Sequence, residues 1–276
     1  MHAFRRNPFV EANALNGILL DQGRHPGRVL VIAHRGASAE APENTLAAIE
    51  AAIEIGADAV EFDIRSTFDN RLVLIHDEEV DRTTDGRGRV AGMTLKRVRE
   101  FDAGSWFDPC FKGERIPRLA EALDLLATSG AVPIIEIKED YDQASGVGPA
   151  VVRALAERGL ESSAVVIARD LRQIARVKKA SPETPVAQVA IYKREAERAM
   201  GAGADGIVSL WTGLTPGIIR STHEQGGFVA AWSLGGSIAS SLGFDPLHML
   251  ELARHGVDAL VTNDPRSGLE LVEAGP

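Results

Sequence analysis

From Leu30 onward, short apolar runs alternate with stretches in which apolar residues recur every three or four positions. Runs near 30–34, 59–64, 132–137, 164–168, 186–190, 205–209, 228–232 and 257–261 predict strands. Helical patterns follow most of them. Leu46, Ile49 and Ile53 fall on one face, behind Pro42 and a capping Asn44 or Thr45 and ahead of Gly56. Pro149 to Arg158, Leu171 to Lys179 and Pro216 to Gln225 repeat the pattern, each stopped by Gly or Pro. Such alternation favours a parallel sheet with crossover helices. Eight units in roughly 240 residues fit an α/β TIM (β/α)8 barrel better than an open doubly wound sheet.

Two intervals depart from this rhythm. Residues 77–116 are too many for an ordinary βα connection and predict a small insertion after the second strand, beside the barrel mouth. Residues 1–28 read as an N-terminal segment packing on the barrel, with a short helix at Asn13 to Leu20, and residues 29–276 as the barrel domain. Gly17-Ile18-Leu19-Leu20 is too short for a signal core, and no run approaches the roughly twenty apolar residues of a membrane span. The expectation is a cytoplasmic protein without a membrane span.

Polar residues inside the apolar runs carry the chemistry. Val31-Ile32-Ala33 ends in His34-Arg35-Gly36, which puts a histidine and an arginine at the C-terminal lip of a buried strand, where barrels bind ligands. In Val60-Glu61-Phe62-Asp63-Ile64-Arg65, strict alternation sets Glu61, Asp63 and Arg65 on one face. Leu72-Val73-Leu74-Ile75 ends in His76-Asp77, and Ile134-Ile135-Glu136-Ile137-Lys138 places Glu136 and Lys138 together. Buried charges are costly unless they pair or bind a cation. The carboxylates Glu61, Asp63 and Glu136 therefore either bridge to Arg35, Arg65 and Lys138 or hold a metal. An all-oxygen set suits Mg²⁺, Ca²⁺ or Mn²⁺.

Bulk properties narrow the classes. The net charge of −9 argues against a general nucleic-acid or anionic-membrane surface. A single cysteine, Cys110, precludes an intrachain disulfide and reads as a bystander. No Gly-rich dinucleotide loop follows the first strand.

The order and spacing of these motifs resemble the glycerophosphodiester phosphodiesterase family over about Leu30 to Pro265. The marks are His34-Arg35-Gly36, Pro42-Glu43-Asn44-Thr45, Gly56-Ala57-Asp58 leading to Glu61-Phe62-Asp63, and His76-Asp77. Arg82-Thr83-Thr84-Asp85-Gly86, Gly104-Ser105-Trp106-Phe107, Ile116-Pro117-Arg118-Leu119, Glu136-Ile137-Lys138 and Thr262-Asn263-Asp264-Pro265 continue the series. The resemblance implies the same barrel, a small-molecule glycerophosphodiester substrate, and hydrolysis to glycerol 3-phosphate and an alcohol. Glu61, Asp63 and Glu136 match its metal-binding positions.

His34 and His76 are then the proton-transfer pair, with His34 taken as acid and His76 as base. Arg35 and Lys138 supply positive charge to the phosphate or only neutralise the carboxylates, Glu43 orients Arg35 or His34 or simply serves the helix start, and Trp232 walls the alcohol or packs the barrel. The other five histidines read as structural or solvated. Two stretches depart from the family: Ala168-Arg169-Asp170 where members commonly show Ser-Phe-Asp, and Trp232-Ser233-Leu234-Gly235-Gly236 where they tend to read Trp-Thr-Val-Asn. Both bear on the alcohol group more than on the reaction. The rival readings are a lysophospholipase-D-like or sphingomyelinase-D-like lipid phosphodiesterase, with Trp106, Phe107, Phe111 and Trp211 lining an apolar groove, and a catalytically silent barrel that binds phosphodiesters or a protein partner.

Overall fold

The computed structural model describes residues 28–138, 146–232 and 251–274. Along these run β1 (Leu30–His34), α1 (Leu46–Ile55), β2 (Ala59–Ser66), β3 (Leu72–Leu74), α2 (Leu95–Val98), α3 (Leu119–Ser129), β4 (Val132–Ile137) and α4 (Val147–Ala156). There follow β5 (Val165–Ala168), α5 (Leu171–Ala180), β6 (Val186–Ala190), α6 (Lys193–Ala199), β7 (Gly206–Leu210), α7 (Pro216–Glu224), β8 (Phe228–Trp232), β9 (Ala259–Thr262) and α8 (Pro265–Ala274). The helix expected at Asn13 to Leu20, the packing of residues 1–27 and the stretch Ser233 to Gly236 lie outside the described residues.

Among the described residues, nine strands make one sheet. Eight are parallel, and pairing of β1 with both β9 and β2 closes them into a barrel with intervening helices. This is the (β/α)8 architecture expected from the sequence. The ninth, β3, runs back antiparallel along the end of β2, with Ile64 opposite Leu74 and Ser66 opposite Leu72. An extra hairpin arm is thus where the run Leu72-Val73-Leu74-Ile75 belongs, and it carries His76 back to the mouth.

Alternation along each strand divides the core in two. Val60, Phe62, Ile64, Ile135 and Ile137 face the helix layer, packed with Ile49, Leu123 and Val151. Ile32, Ala59, Ile134, Ile167, Val189, Val208 and Val261 fill the barrel interior. Phe228 plugs the same interior at 1% exposure, and the missing side chain of Gly206 makes room for it, since a Cβ there would stand 2.5 Å from the ring. Full burial of such a side chain contributes about 1.5–3 kcal/mol.

At the opposite end from the mouth, aspartates staple the strand starts. Asp58 accepts from Val31 N at 2.8 Å and meets Arg28, while Asp258 accepts from Val229 N at 2.7 Å and pairs with the buried His223. His223, read from the sequence as structural or solvated, is buried on this bond.

The stretch 77–116 folds as a small unit with its own core, in which Val80, Val90, Val98 and Phe101 pack on Val73 and Ile75 of the hairpin arm. Trp106, Phe107 and Phe111 stack edge-on within it, with ring centroids 5.8 and 5.7 Å apart.

Candidate active site

The first strand ends in a turn of unusual backbone conformation. Arg35 lies at φ +56°, Gly36 at +79° and Asn44 at +58°, all in the left-handed region. Gly36 also packs directly on the α1 backbone, where a Cβ would come 2.5 Å from the Ala48 carbonyl carbon. For Arg35 that conformation costs about 1–3 kcal/mol and persists because its surroundings hold it. Its amide donates to Glu61 Oε2 at 3.0 Å and the Gly36 amide to Glu61 O at 3.2 Å. Thr45 is the α1 cap, accepting from Ala48 N at 3.2 Å. Asn44 instead turns to β2, where its Nδ2 donates to Asp63 Oδ2 at 2.8 Å and its Oδ1 accepts from Asp63 N at 3.0 Å.

The strand register brings the three predicted carboxylates together. His34 lies beside Glu61 across β1–β2, and Asp63 beside Glu136 across β2–β4. One oxygen from each of Glu61, Asp63 and Glu136 lies within 4.8 Å of the others. Two cations partly compensate them. Arg35 Nε stands 3.1 Å from Asp63 Oδ2, and Lys138 Nζ stands 3.1 Å from Asp63 Oδ1 and 2.8 Å from Glu136 Oε1. Arg65 behaves differently from the expected bridge, as its Nε donates to the His76 carbonyl at 2.8 Å.

Charge is shared unevenly within the trio. Burial alone would raise Asp63, yet Lys138 and Arg35 hold its carboxyl well below the usual range. Burial pushes Glu61 well up, and the neighbouring charges of Asp63 and Glu136 add to it. Glu136 is raised by burial against the pull of Lys138. Glu61 Oε1 is buried and accepts no hydrogen bond among the described residues. An oxygen-only donor set with an unused buried lone pair fits a hard divalent cation.

His34, Arg35, Glu61, His76, Glu136, Lys138 and Trp232 all line one cavity of about 320 Å³ at the C-terminal end of the barrel. The two histidines are held in different ways. His34 Nδ1 donates to the Asn263 amide oxygen at 2.5 Å, leaving Nε2 with its lone pair toward the site, 3.9 Å from Glu61 Oε2. Burial, then the Arg35 charge, lowers its pKa to about 3. His76 Nδ1 donates to the Asp77 carboxylate at 2.6 Å and is about a third exposed; burial lowers it also. Trp232 packs its ring 5.7 Å from that of His34. Glu43 accepts from Arg35 NH1 at 2.8 Å.

Four contributors were not singled out by sequence reasoning: Asn44, Asp77, Arg82 and Asn263. All stood in the motifs quoted above, but the short polar Asn44, Asp77 and Asn263 read equally well as cap or turn residues, and Arg82 as a solvated charge. Trp106, Phe107, Phe111 and Trp211, which the rival lipid reading places along an apolar groove, are not among the described residues that line this cavity.

Residues 34–267 match the model of the glycerophosphoryl diester phosphodiesterase family. The chain belongs to that family. A relative from Caldanaerobacter subterraneus, named glycerophosphodiester phosphodiesterase, is 32% identical over 90% of this chain and 99% of its own. Among solved structures, the Agrobacterium tumefaciens glycerophosphodiester phosphodiesterase superposes with a TM-score of 0.75 at 28% identity, covering 89% of this chain and 99% of its own. An Oleispira antarctica phosphodiesterase, solved in complex with sn-glycerol-3-phosphate as product, gives a TM-score of 0.76 at 25% identity, covering 89% and 97%. Family membership and barrel agree with the motif reading. Among the described residues, no helix is long and apolar enough to cross a membrane.

Proposed function

We propose that this member of the family hydrolyses glycerophosphodiesters to sn-glycerol 3-phosphate and an alcohol, using the cavity lined by both histidines, Glu61 and Glu136, with Asp63 buried beside them. The observation that carries this reading is the convergence of acids, bases and cations on one buried point with an unpartnered carboxylate oxygen. The product bound by the Oleispira relative supports the substrate class.

Glu61, Asp63 and Glu136 would hold a divalent cation, which when bound neutralises charge on a phosphoryl oxygen and polarises it. Arg35 presents a planar fork and Lys138 a point charge to the remaining phosphoryl oxygens, both already fixed at the cavity wall. The hydrogen-bond partners of the histidines support the reverse of the order taken from sequence. His34, tied through Nδ1–H to a neutral amide, offers Nε2 as the base that removes a proton from the attacking oxygen. His76, whose Nδ1 is held by a carboxylate that offsets part of the effect of burial, protonates the leaving alcohol. The buried Trp232 Nε1 has no acceptor among the described residues and is placed to donate to a substrate oxygen.

The test is a product assay of the purified protein with glycerophosphocholine, glycerophosphoethanolamine, a lysophospholipid and bis(p-nitrophenyl) phosphate, with and without divalent cation. Cation-dependent release of glycerol 3-phosphate from the first two is expected. Turnover of the lysophospholipid alone would move the assignment to a lipid phosphodiesterase. No turnover of any would leave a phosphodiester-binding barrel.

A further inference from the structure

Arg82 lies in the insertion, outside the cavity wall, and yet it touches both groups that aim the cavity's cations and acids. Its Nε donates to Asp77 Oδ2 at 2.6 Å, its NH1 to Glu43 Oε2 at 2.7 Å, and its NH2 to Glu43 Oε1 at 2.8 Å. Asp77 in turn holds His76 Nδ1, and Glu43 holds Arg35 NH1. One guanidinium thus joins the orienting carboxylate of the histidine to that of the arginine.

We propose that Arg82 is a positioning residue, which sets Asp77 and Glu43 in one frame and so aims His76 and Arg35 at the same phosphate. The inference rests on the roles given to His76 and Arg35 above. An isolated surface ion pair would contribute little, but here a planar fork gives two parallel N–H bonds to Glu43 and a third to Asp77, a fixed geometry that an ammonium on a flexible stem does not reproduce. The loop that presents Arg82 is itself built. Thr84 Oγ1 donates to Val80 O at 2.7 Å and accepts from Gly86 N at 2.9 Å, while Asp81 Oδ1 accepts from Gly88 N at 2.7 Å. Val80 is fully buried in the small core of the insertion. The insertion therefore does more than frame the mouth: its core fixes a loop, the loop fixes a guanidinium, and the guanidinium fixes two groups in the cavity.

The test uses the full chain with saturating Mg²⁺, glycerophosphocholine and bis(p-nitrophenyl) phosphate as probes, and thermal unfolding alongside. Arg82→Ala should lower kcat/KM for glycerophosphocholine about 10–100-fold, the range for groups that orient functional side chains, with Tm within a few degrees of the parent. Millimolar guanidinium, but not urea at equal concentration, should restore part of the loss. Asp77→Asn should cost less in the Arg82→Ala background than alone, and so should Glu43→Gln, because each pair acts as a unit. Should Arg82→Ala not fold, Arg82→Lys carries the same test and recovers no more than one arm of the fork. Full activity of Arg82→Ala, or penalties that simply multiply, overturns the inference while His76→Ala and Arg35→Ala remain impaired. Full activity of those two variants as well removes the roles on which it rests, and the inference falls with them.

Discussion

The two halves of the barrel mouth are built on opposite principles. On the β1, β2 and β4 side, His34, Arg35, Glu61, His76, Glu136 and Lys138 line the cavity. On the β5 to β9 side the wall is Ile167, Val189, Ile191, Val208, Trp232 and Val261, with Arg169 and Asp170 following β5. Ile167, Val189, Val208 and Val261 belong to the interior core itself, so that half is an extension of the fold and needs nothing else to hold it. The other half is stable only as a network, in which each carboxylate leans on a cation or an amide and Glu61 keeps one oxygen without a partner among the described residues. Stability is thus concentrated on one side of the mouth and chemistry on the other. Substitutions should separate along the same line.

The largest expected effect is on the charged side. Chelation should abolish turnover, and Mg²⁺, Ca²⁺ or Mn²⁺ should restore it. The cation should also raise Tm by binding the native state, by about 2.7 kcal/mol of stability at a hundred times its Kd. Glu136→Gln should fold but lose both the activity and that rise, as enzyme assay and differential scanning calorimetry will show. An unchanged Tm response would return the trio to structural salt bridging.

Next in size are the histidines. His34→Ala and His76→Ala should each cost roughly 10²–10⁴ in turnover of glycerophosphocholine. An aryl leaving group departs without a proton, so His76→Ala should lose far less on bis(p-nitrophenyl) phosphate, whereas His34→Ala loses as much on both. Kinetics that reverse this contrast would restore the sequence-based order of acid and base.

Beneath the apolar side, at the start of β8, Phe228→Ala should lower unfolding free energy by about 3–5 kcal/mol in urea titrations, through lost burial and a cavity. The protein that remains folded should keep its kcat. A loss of kcat in the folded fraction would show that the two halves are coupled more tightly than their construction implies.

The smallest effect belongs to the rim. Burial would raise the Asp77 carboxyl, but its hydrogen bonds with Arg82 and His76 hold it down to about 2. A depressed carboxyl stabilises the fold above its unfolded pKa, near 3.9, and that contribution is lost as pH falls through about 2. Asp77→Asn should therefore destabilise at neutral pH by under about 1 kcal/mol, since Asp77 is a third exposed and Arg82 nearly half, and the difference from the parent should vanish on acid titration. A difference that persists at pH 2 would assign the effect to packing instead.

The sequence by itself determined the barrel. Apolar runs with period two, helical patterns with period three to four and their eightfold alternation admit few other folds, because both periodicities are properties of the local backbone. Strands 30–34, 132–137, 186–190 and 228–232 fall where the pattern places them. Glu61, Asp63, Glu136 and the two histidines were likewise legible, since an ionisable group inside or at the end of an apolar strand stands out against its neighbours. What only the tertiary structure decided was partnership. Which carboxylate Asn44 holds, that Asn263 meets His34 across 229 positions, and that Arg82 reaches Glu43 across 39, follow from strand register and from a loop folding back on the mouth. The antiparallel return of β3 decided where His76 arrives. Hydrogen bonds of this kind join residues far apart in the chain, and their geometry exists only once the strands have closed.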